Sequence, residues 1–287
     1  MPAAPTGEQI ALRHGPWRAV VVEVGGGLRV LECDGEPLLE GYGPGEMAPD
    51  ARGHPLLPWP NRLAGGRYLF AGEEHRLPVD DPATGSAIHG LTRWTAWTVA
   101  ERSASRCALA LRLHPRPGYP FALDLAIGYE LGDEGLAVSL RAENAGDRPA
   151  PFGAGFHPYL TLGTGAVDDL AVAVPALGAP RLGLDGAAPL GGAALDHCLS
   201  GLRRDGDGLA RVRLRAPSGR AATLWADPLW DFLMVFTGDT LAPGRRRRGL
   251  ALEPMTCAPD AFNTGEGLIV LAPGESVSGR WGISAGG

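Results

Sequence analysis

A regular alternation of apolar and polar residues from 121 to 144 constrains the fold of this chain more than any other feature. The segment reads FALDLAIGYELGDEGLAVSLRAEN, in which two alternating runs are separated by Gly-Asp-Glu-Gly. A period of two is the spacing of a β-strand with one buried face, and a glycine-flanked polar pair between two such runs is typical of a hairpin turn. The segment therefore predicts two antiparallel strands joined by a tight turn.

The same pattern recurs along the chain. Residues 17–35 predict two strands joined at Gly25–Gly27, and residues 210–228 predict two more, joined by Pro-Ser-Gly. No segment predicts a helix longer than about two turns. Further strand-like runs complete the last third of the chain, at 231–239, 248–254 and 267–283.

Short strands separated by turn signals predict an all-β protein, specifically a large antiparallel β-sandwich. No low-complexity linker divides the 287 residues, so we expect a single domain over 1–287. The loosest stretch, 181–196, reads RLGLDGAAPLGGAALD and predicts a long surface loop rather than a domain boundary.

The charged residues exclude several functions. All 26 basic residues are arginine, so chemistry that needs a lysine, such as a Schiff base or the phosphate-binding lysine of a P-loop, is excluded. The formal net charge of −6 argues against a nucleic-acid partner, because such partners are recognised by an excess of positive charge.

The cysteines and the first residues indicate a compartment. Cys33, Cys107, Cys198 and Cys257 lie far apart without the spacing of a metal site, which predicts reduced thiols in the core of an intracellular protein. Residues 1–17 lack the pattern of a secretion signal, and no apolar run is long enough to span a bilayer. We therefore expect a cytoplasmic protein with no membrane partner.

Two ionisable residues directly precede a proline. His157 lies in PFGAGFHPYL and Glu253 in LALEPM, and a following proline favours extended geometry and removes a backbone donor. Gly153 and Gly155 allow close backbone approach beside the histidine. A positioned carboxylate and imidazole can act as general base and general acid, so we expect Glu253 to be ionised and His157 to be protonated.

A further segment suits a ligand that is rich in hydroxyl groups. In HPLLPWPNRLAGG, prolines and glycines stiffen the chain around Trp59, Asn61 and Arg62. An aromatic ring can cover a C–H face while amide and guanidinium groups bind hydroxyls. His89, in AIHGL, is a fourth polar candidate beside a glycine. These residues predict a site for a polyhydroxylated small molecule.

Taken in order, these segments resemble the aldose 1-epimerase (galactose mutarotase) family over about residues 17–283. The motifs that carry the resemblance are PWPNRLAGGRYLFAG, AIHGL, GAGFHPYL, LDHCL and LEPMTCAPDAFN. The resemblance implies a galactose mutarotase-like supersandwich with a sugar cleft on one concave face. It also implies an isomerase that interconverts the α and β anomers of free aldohexoses without a metal or an organic cofactor.

The resemblance assigns roles to individual residues. Glu253 matches the family's catalytic base, and His157 matches its catalytic acid. His89 matches a second active-site histidine that contacts the sugar, and Arg62 matches an arginine that binds sugar hydroxyls. Asp196, in LDH, matches an aspartate that holds hydroxyls farther round the ring.

Some assignments stay open at this stage. Trp59 and Asn61 lie beside Arg62 as candidate substrate-binding residues, or as residues that only shape the turn. The expected partner is a monosaccharide, and both a monomer and a homodimer are compatible with the sequence.

Three other functions compete with a mutarotase of free hexoses. The first is a mutarotase of hexose 6-phosphates, for which the run Arg245–Arg248 would supply a phosphate site unless it is a solvated charge cluster. The second is a sugar-binding protein without catalysis, which would not need both Glu253 and His157. The third is a metal site that uses these two residues and His89, but the sequence has no clustered histidine spacing to support it.

Overall fold

The structure is a computed structural model that describes residues 4–286. It contains strands throughout, three short 3₁₀ helices (Pro49–Ala51, Val167–Asp169 and Pro180–Leu182) and one short α-helix, α1, at Ala261–Thr264. The strands are β1 Gln9–His14, β2 Trp17–Val22, β3 Leu28–Cys33, β4 Glu36–Pro37, β5 Pro55–Leu56, β6 Arg62–Ala64, β7 Arg67–Phe70, β8 Glu73–Arg76, β9 Ser86–Ile88, β10 Thr98–Arg102, β11 Arg106–Leu113, β12 Leu123–Gly132, β13 Gly135–Asn144, β14 Ala150–Phe152, β15 Gly155–Phe156, β16 Tyr159–Leu160, β17 Ala171–Ala173, β18 Asp185–Pro189, β19 Asp196–Ser200, β20 Ala210–Arg215, β21 Ala221–Ala226, β22 Phe232–Phe236, β23 Leu250–Met255, β24 Ile269–Leu271 and β25 Ser276–Ala285.

Two sheets dominate the described part of the chain. The larger has nine strands in the order β10-β11-β12-β13-β25-β21-β20-β17-β18, and the smaller has six, in the order β19-β22-β23-β15-β5 with β16 beside β23. Neighbouring strands run antiparallel in both sheets. A four-stranded sheet, β1-β2-β3-β4, and three strand pairs complete the fold.

The two large sheets share a hydrophobic core. Phe156 of the six-stranded sheet packs against Trp281 of the nine-stranded sheet, with ring centroids 5.2 Å apart. In the smaller sheet, Leu252 belongs to this core, whereas its neighbour Glu253 projects from the opposite face and lines a cavity. The sheet therefore has one face that stabilises the sandwich and one face that carries polar groups.

The structure confirms the all-β fold and the hairpins that the period of two predicted. The strands of segment 121–144 pair over their full length, and the turn lies between Gly132 and Gly135. The hairpins predicted at 17–35 and 210–228 form as β2–β3 and β20–β21. The expectation of a single domain over 1–287 stays a prediction.

The prediction for residues 181–196 was wrong in part. The segment contains β18, Asp185–Pro189, which pairs with β17 at the edge of the nine-stranded sheet. Its last residue, Asp196, is the first residue of β19. Alanine, glycine and proline gave this edge strand no apolar alternation, so the sequence did not reveal it.

Two further observations concern the predicted compartment. The four cysteines are free thiols; Cys107 and Cys257 are buried, whereas Cys33 and Cys198 are only half-buried. Among residues 4–286, no helix is long and apolar enough to cross a membrane.

Candidate active site

A cavity of about 400 Å³ opens on the polar face of the six-stranded sheet. Its lining brings together side chains that are distant in sequence and that come from strands, strand ends and loops. Six of the seven residues predicted from the sequence line it: Asn61, Arg62, His89, His157, Asp196 and Glu253. The volume falls within the range of small-molecule sites in proteins.

Glu253 and His157 face each other in this cavity. His157 Nε2 lies 3.4 Å from Glu253 Oε1. Glu253 is in β23, and His157 lies between the short strands β15 and β16. The backbone N–H of His157 donates to the backbone carbonyl of His54 at 3.0 Å. Gly153 is required nearby, because a Cβ there would lie 2.5 Å from Cys257 Sγ. The structure therefore brings the two candidate catalytic residues together, and their catalytic roles stay a prediction.

Both side chains are deeply buried at the base of the cavity. Their exposed fractions are 6% for His157 and 3% for Glu253, yet both contribute to its lining. Burial lowers the pKa of His157 to about 3, with a smaller contribution in the same direction from the positive charge of Arg52. Burial also raises the pKa of Glu253 well above its usual value, and the negative charge of Asp196 adds to this effect.

These pKa shifts change the expected resting state of the pair. From the sequence we expected ionised Glu253 and protonated His157, but burial disfavours both charges. Burial therefore favours a neutral carboxylic acid beside a neutral imidazole. The neutral pair and the ion pair contain the same number of protons. Transfer of one proton from the Glu253 carboxyl group to the His157 imidazole therefore converts the neutral pair into the ion pair.

His89 is held in one tautomer by its neighbour in the fold. The backbone N–H of Asn61 donates to the ring nitrogen His89 Nδ1 at 3.2 Å. The backbone N–H of His89 donates to the backbone carbonyl of Asn61 at 2.9 Å. With Nδ1 acting as acceptor in the neutral ring, Nε2 carries the proton. Burial, followed by the nearby His157, lowers the pKa of His89 well below its usual value. His89 is thus a neutral donor beside the catalytic candidates, with its ring centroid 5.2 Å from that of His157.

Arg62 is oriented by an acidic partner that the sequence did not reveal. Arg62 Nε donates to Asp81 Oδ2 at 2.8 Å, and the Thr84 hydroxyl donates to the same oxygen at 2.7 Å. Because Asp81 binds the guanidinium through Nε, the two terminal amino groups are left to face other acceptors. The side chain of Arg62 is 38% exposed, in keeping with a residue at the mouth of a cleft.

Asp196 forms the opposite part of the lining. It is an exposed residue at the start of β19, opposite Phe236 of β22. Its carboxylate and the guanidinium of Arg62 give the cleft groups of both charges, which suits a ligand with several hydroxyls because each hydroxyl can both donate and accept.

Trp59 is not among the residues that line this cavity. It is 3% exposed, packs against Phe262 at 5.8 Å between ring centroids, and lines a neighbouring cavity of about 290 Å³. The tryptophan in the lining is instead Trp94, which is 58% exposed and is shared by both cavities.

The sequence also missed a layer of side chains behind His157. The Tyr159 ring stacks on the His157 ring, with centroids 4.8 Å apart and an interplanar angle of 9°. The Arg52 guanidinium lies 4.1 Å from the centroid of the Tyr159 ring and is almost fully buried. This stack fixes the plane of the imidazole. Tyr159 directly follows the proline of the motif and could have been found there, but Arg52 carried no signal.

Metal binding was considered as an alternative for His89, His157 and Glu253. Over residues 4–286, no group of three or more histidine, cysteine, aspartate or glutamate side chains is arranged to hold a metal ion.

The fold and the cleft together define a galactose mutarotase-like protein. The chain belongs to the aldose 1-epimerase family, whose sequence model matches residues 8–284. It is 33% identical to the uncharacterized protein YihR of Escherichia coli K12, over 94% of this chain and 91% of that protein.

Solved structures share the fold. The GalM/aldose epimerase homologue from C. elegans superposes with a TM-score of 0.84 at 15% identity, covering 97% of this chain and 98% of that one. A galactose mutarotase-like protein from Clostridium acetobutylicum superposes with a TM-score of 0.82, also at 15% identity, covering 96% of this chain and 94% of that one.

Proposed function

We propose that this protein is a mutarotase, an isomerase that interconverts the α and β anomers of free aldohexoses by general acid–base catalysis. The observation that carries the proposal is the approach of His157 Nε2 to Glu253 Oε1, at 3.4 Å, in the lining of a cleft of about 400 Å³. A non-catalytic sugar-binding protein has no need for an imidazole and a carboxyl group buried side by side.

The reaction begins with the ring-closed sugar. The Glu253 carboxylate takes the proton from O1, and the His157 imidazolium gives a proton to the ring oxygen O5. The C1–O5 bond breaks, and C1 becomes an aldehyde. Rotation about C1–C2 presents the other face of the carbonyl, and ring closure returns the two protons by the reverse route. No atom is gained or lost, and the two residues end in the protonation states in which they began.

The two tautomers of the pair serve the two halves of this cycle. The ion pair acts on the closed ring, and the neutral pair acts on the open-chain aldehyde. Burial by itself favours the neutral pair. A bound sugar shifts the balance toward the ion pair, because its hydroxyl groups donate hydrogen bonds to the carboxylate and so stabilise its charge.

Other residues of the lining orient the sugar in this mechanism. The terminal amino groups of Arg62 and the carboxylate of Asp196 bind ring hydroxyls, and His89 donates from Nε2. Asn61 acts indirectly by fixing the His89 tautomer. Each positioned acid or base contributes on the order of 10²–10⁴ in rate, and orientation adds to this. Mutarotation already occurs in water, so a modest total acceleration is sufficient.

A polarimetric substrate panel tests the proposal. Freshly dissolved α-glucose and α-galactose, and their 6-phosphates, are followed with and without the protein. We expect the approach to equilibrium to be faster with the protein for at least one free hexose. Acceleration of the 6-phosphates alone would replace the proposal with a phosphosugar mutarotase. Calorimetric binding of a hexose without any acceleration would replace it with a sugar-binding protein.

A further inference from the structure

The run of four arginines at 245–248 is not a uniform charge cluster. Arg245 pairs with Glu46 at 2.7 Å, and Arg248 pairs with Glu40 at 3.4 Å. Arg246 is exposed and makes one long hydrogen bond, to the carbonyl of Leu241 at 3.4 Å. Arg247, by contrast, is the centre of a dense set of contacts.

All five N–H donors of the Arg247 guanidinium have acceptors. Nε and Nη2 bind the two carboxylate oxygens of Asp168, at 3.1 and 3.3 Å. Nη2 also donates to the carbonyl of Gly191 at 2.8 Å. Nη1 donates to the carbonyl of Ala193 at 3.0 Å and to Asp239 Oδ1 at 2.6 Å. Since an arginine has five such donors, none is left for a phosphate or any other ligand.

The backbone of Arg247 is also constrained. Its φ is +55°, in the left-handed region that side chains other than glycine rarely adopt. Its carbonyl accepts the N–H of Val167 at 2.8 Å. A residue keeps such a conformation only when its surroundings over-determine it, and the side-chain contacts of Arg247 do so here.

A series of hydrogen bonds connects Arg247 to the lining of the cleft. Asp239 accepts the hydroxyl of Thr237, whose oxygen in turn accepts the N–H of Leu195 at 2.9 Å. The Thr237 N–H donates back to the Leu195 carbonyl at 3.0 Å. Leu195 directly precedes Asp196, the candidate sugar-binding aspartate. Three bonded steps therefore connect the guanidinium to the residue before Asp196.

The hydrogen bonds of Arg247 also hold a second part of the lining. Thr240 and Leu241 directly follow Asp239 and both line the cleft. The carbonyls of Gly191 and Ala193 belong to the loop that precedes β19. Arg247 therefore hydrogen-bonds both to this loop and to the segment that begins at Asp239.

We propose that Arg247 is a positioning residue that holds Asp196 and the adjoining wall of the cleft in place for the sugar, and that its guanidinium is not a phosphate site. The inference deepens the proposed mutarotase function and rests on it. Arg247 acts on substrate affinity through Asp196 and takes no part in the proton transfers at Glu253 and His157.

The test compares Arg247→Gln and Arg247→Lys with the matched control Arg246→Gln, which removes an exposed arginine from the same run. For an aldose that wild-type protein converts, we expect Arg247→Gln to raise KM about tenfold, the effect of losing one well-oriented charged hydrogen bond, with kcat within about twofold. Arg247→Lys retains the positive charge but not the planar set of five donors. Its KM is therefore expected to lie between those of the wild-type protein and Arg247→Gln. Arg246→Gln is expected to leave both constants unchanged.

KM is the informative readout because loss of folded protein lowers the apparent kcat and leaves KM unaltered. If Arg247→Gln does not fold, the KM of Arg247→Lys decides. In an Asp196→Ala background, Arg247→Gln is expected to raise KM by a smaller factor than in the wild-type background, since one of the two parts of the lining that it holds is gone.

Three outcomes would overturn the inference: a KM for Arg247→Gln equal to that of Arg246→Gln, an undiminished effect in the Asp196→Ala background, or a loss confined to 6-phosphate substrates. An inactive wild-type protein on the whole sugar panel would overturn the proposed function itself, and this inference with it, so the two failures are distinguishable.

Discussion

Replacing Glu253 by glutamine is expected to lower kcat for anomer exchange by about 10²–10⁴, the usual contribution of a positioned general base. Glutamine keeps the size of the side chain and its place opposite Met234 in the sheet, but it cannot accept the O1 proton. Sugar affinity should be largely retained. Polarimetry gives the rate, and titration calorimetry with the same hexose gives the affinity.

Glu134→Gln is the matched control, because Glu134 is exposed in the turn of the β12–β13 hairpin. Its activity should equal that of the wild-type protein. A Glu253→Gln variant that keeps more than half of the wild-type rate would refute the assignment of Glu253 as the base.

The second large effect is expected for His157→Asn. Asparagine cannot protonate O5, so kcat should fall by about 10²-fold or more. The loss is expected to be smaller than for Glu253→Gln, because water admitted by the shorter side chain can supply a proton to O5. The change also removes the ring that stacks on Tyr159, so thermal melting must accompany the rate measurement.

His114→Asn, at an exposed position, is the control for this variant and should retain full activity. If His157→Asn is folded and turns over at the wild-type rate, a different group protonates O5 and the proposed acid is wrong.

Local pattern was sufficient to predict much of the fold. Hairpins such as Leu123–Gly132 with Gly135–Asn144 join neighbouring segments, and their alternation and turn residues are visible in one stretch of sequence. The pairing of β13 with β25, which brings Leu136 opposite Ile283, depends on contacts between distant segments and left no local signal. The edge strand Asp185–Pro189 was missed because its residues have little strand preference.

The candidate site was predicted unevenly for a similar reason. Glu253 and His157 stood out because each precedes a proline, and resemblance to a family connected them. Trp59 was named as a candidate and Trp94 was not, because a single sequence does not reveal which ring is buried by the fold. Asp81 binds Arg62 across 19 positions and Arg247 binds Asp168 across 79, so neither contact was visible in the sequence.

The protonation of the pair was also beyond the sequence. With ordinary pKa values, Glu253 would be ionised near neutral pH and His157 would be partly protonated. The cavity removes both from water, which lowers the pKa of His157 to about 3 and raises that of Glu253. Burial of the two side chains in the fold is the main cause of both shifts.

A crystal structure of the protein with a bound aldohexose tests the central claim most directly, because the claim concerns which sugar oxygens face the two residues. The account predicts a pyranose in the cleft with O1 within about 2.6–3.2 Å of a Glu253 oxygen and O5 within the same distance of His157 Nε2. A sugar bound in the cleft with O1 and O5 turned away from both side chains, toward Arg62 or the solvent, would contradict it.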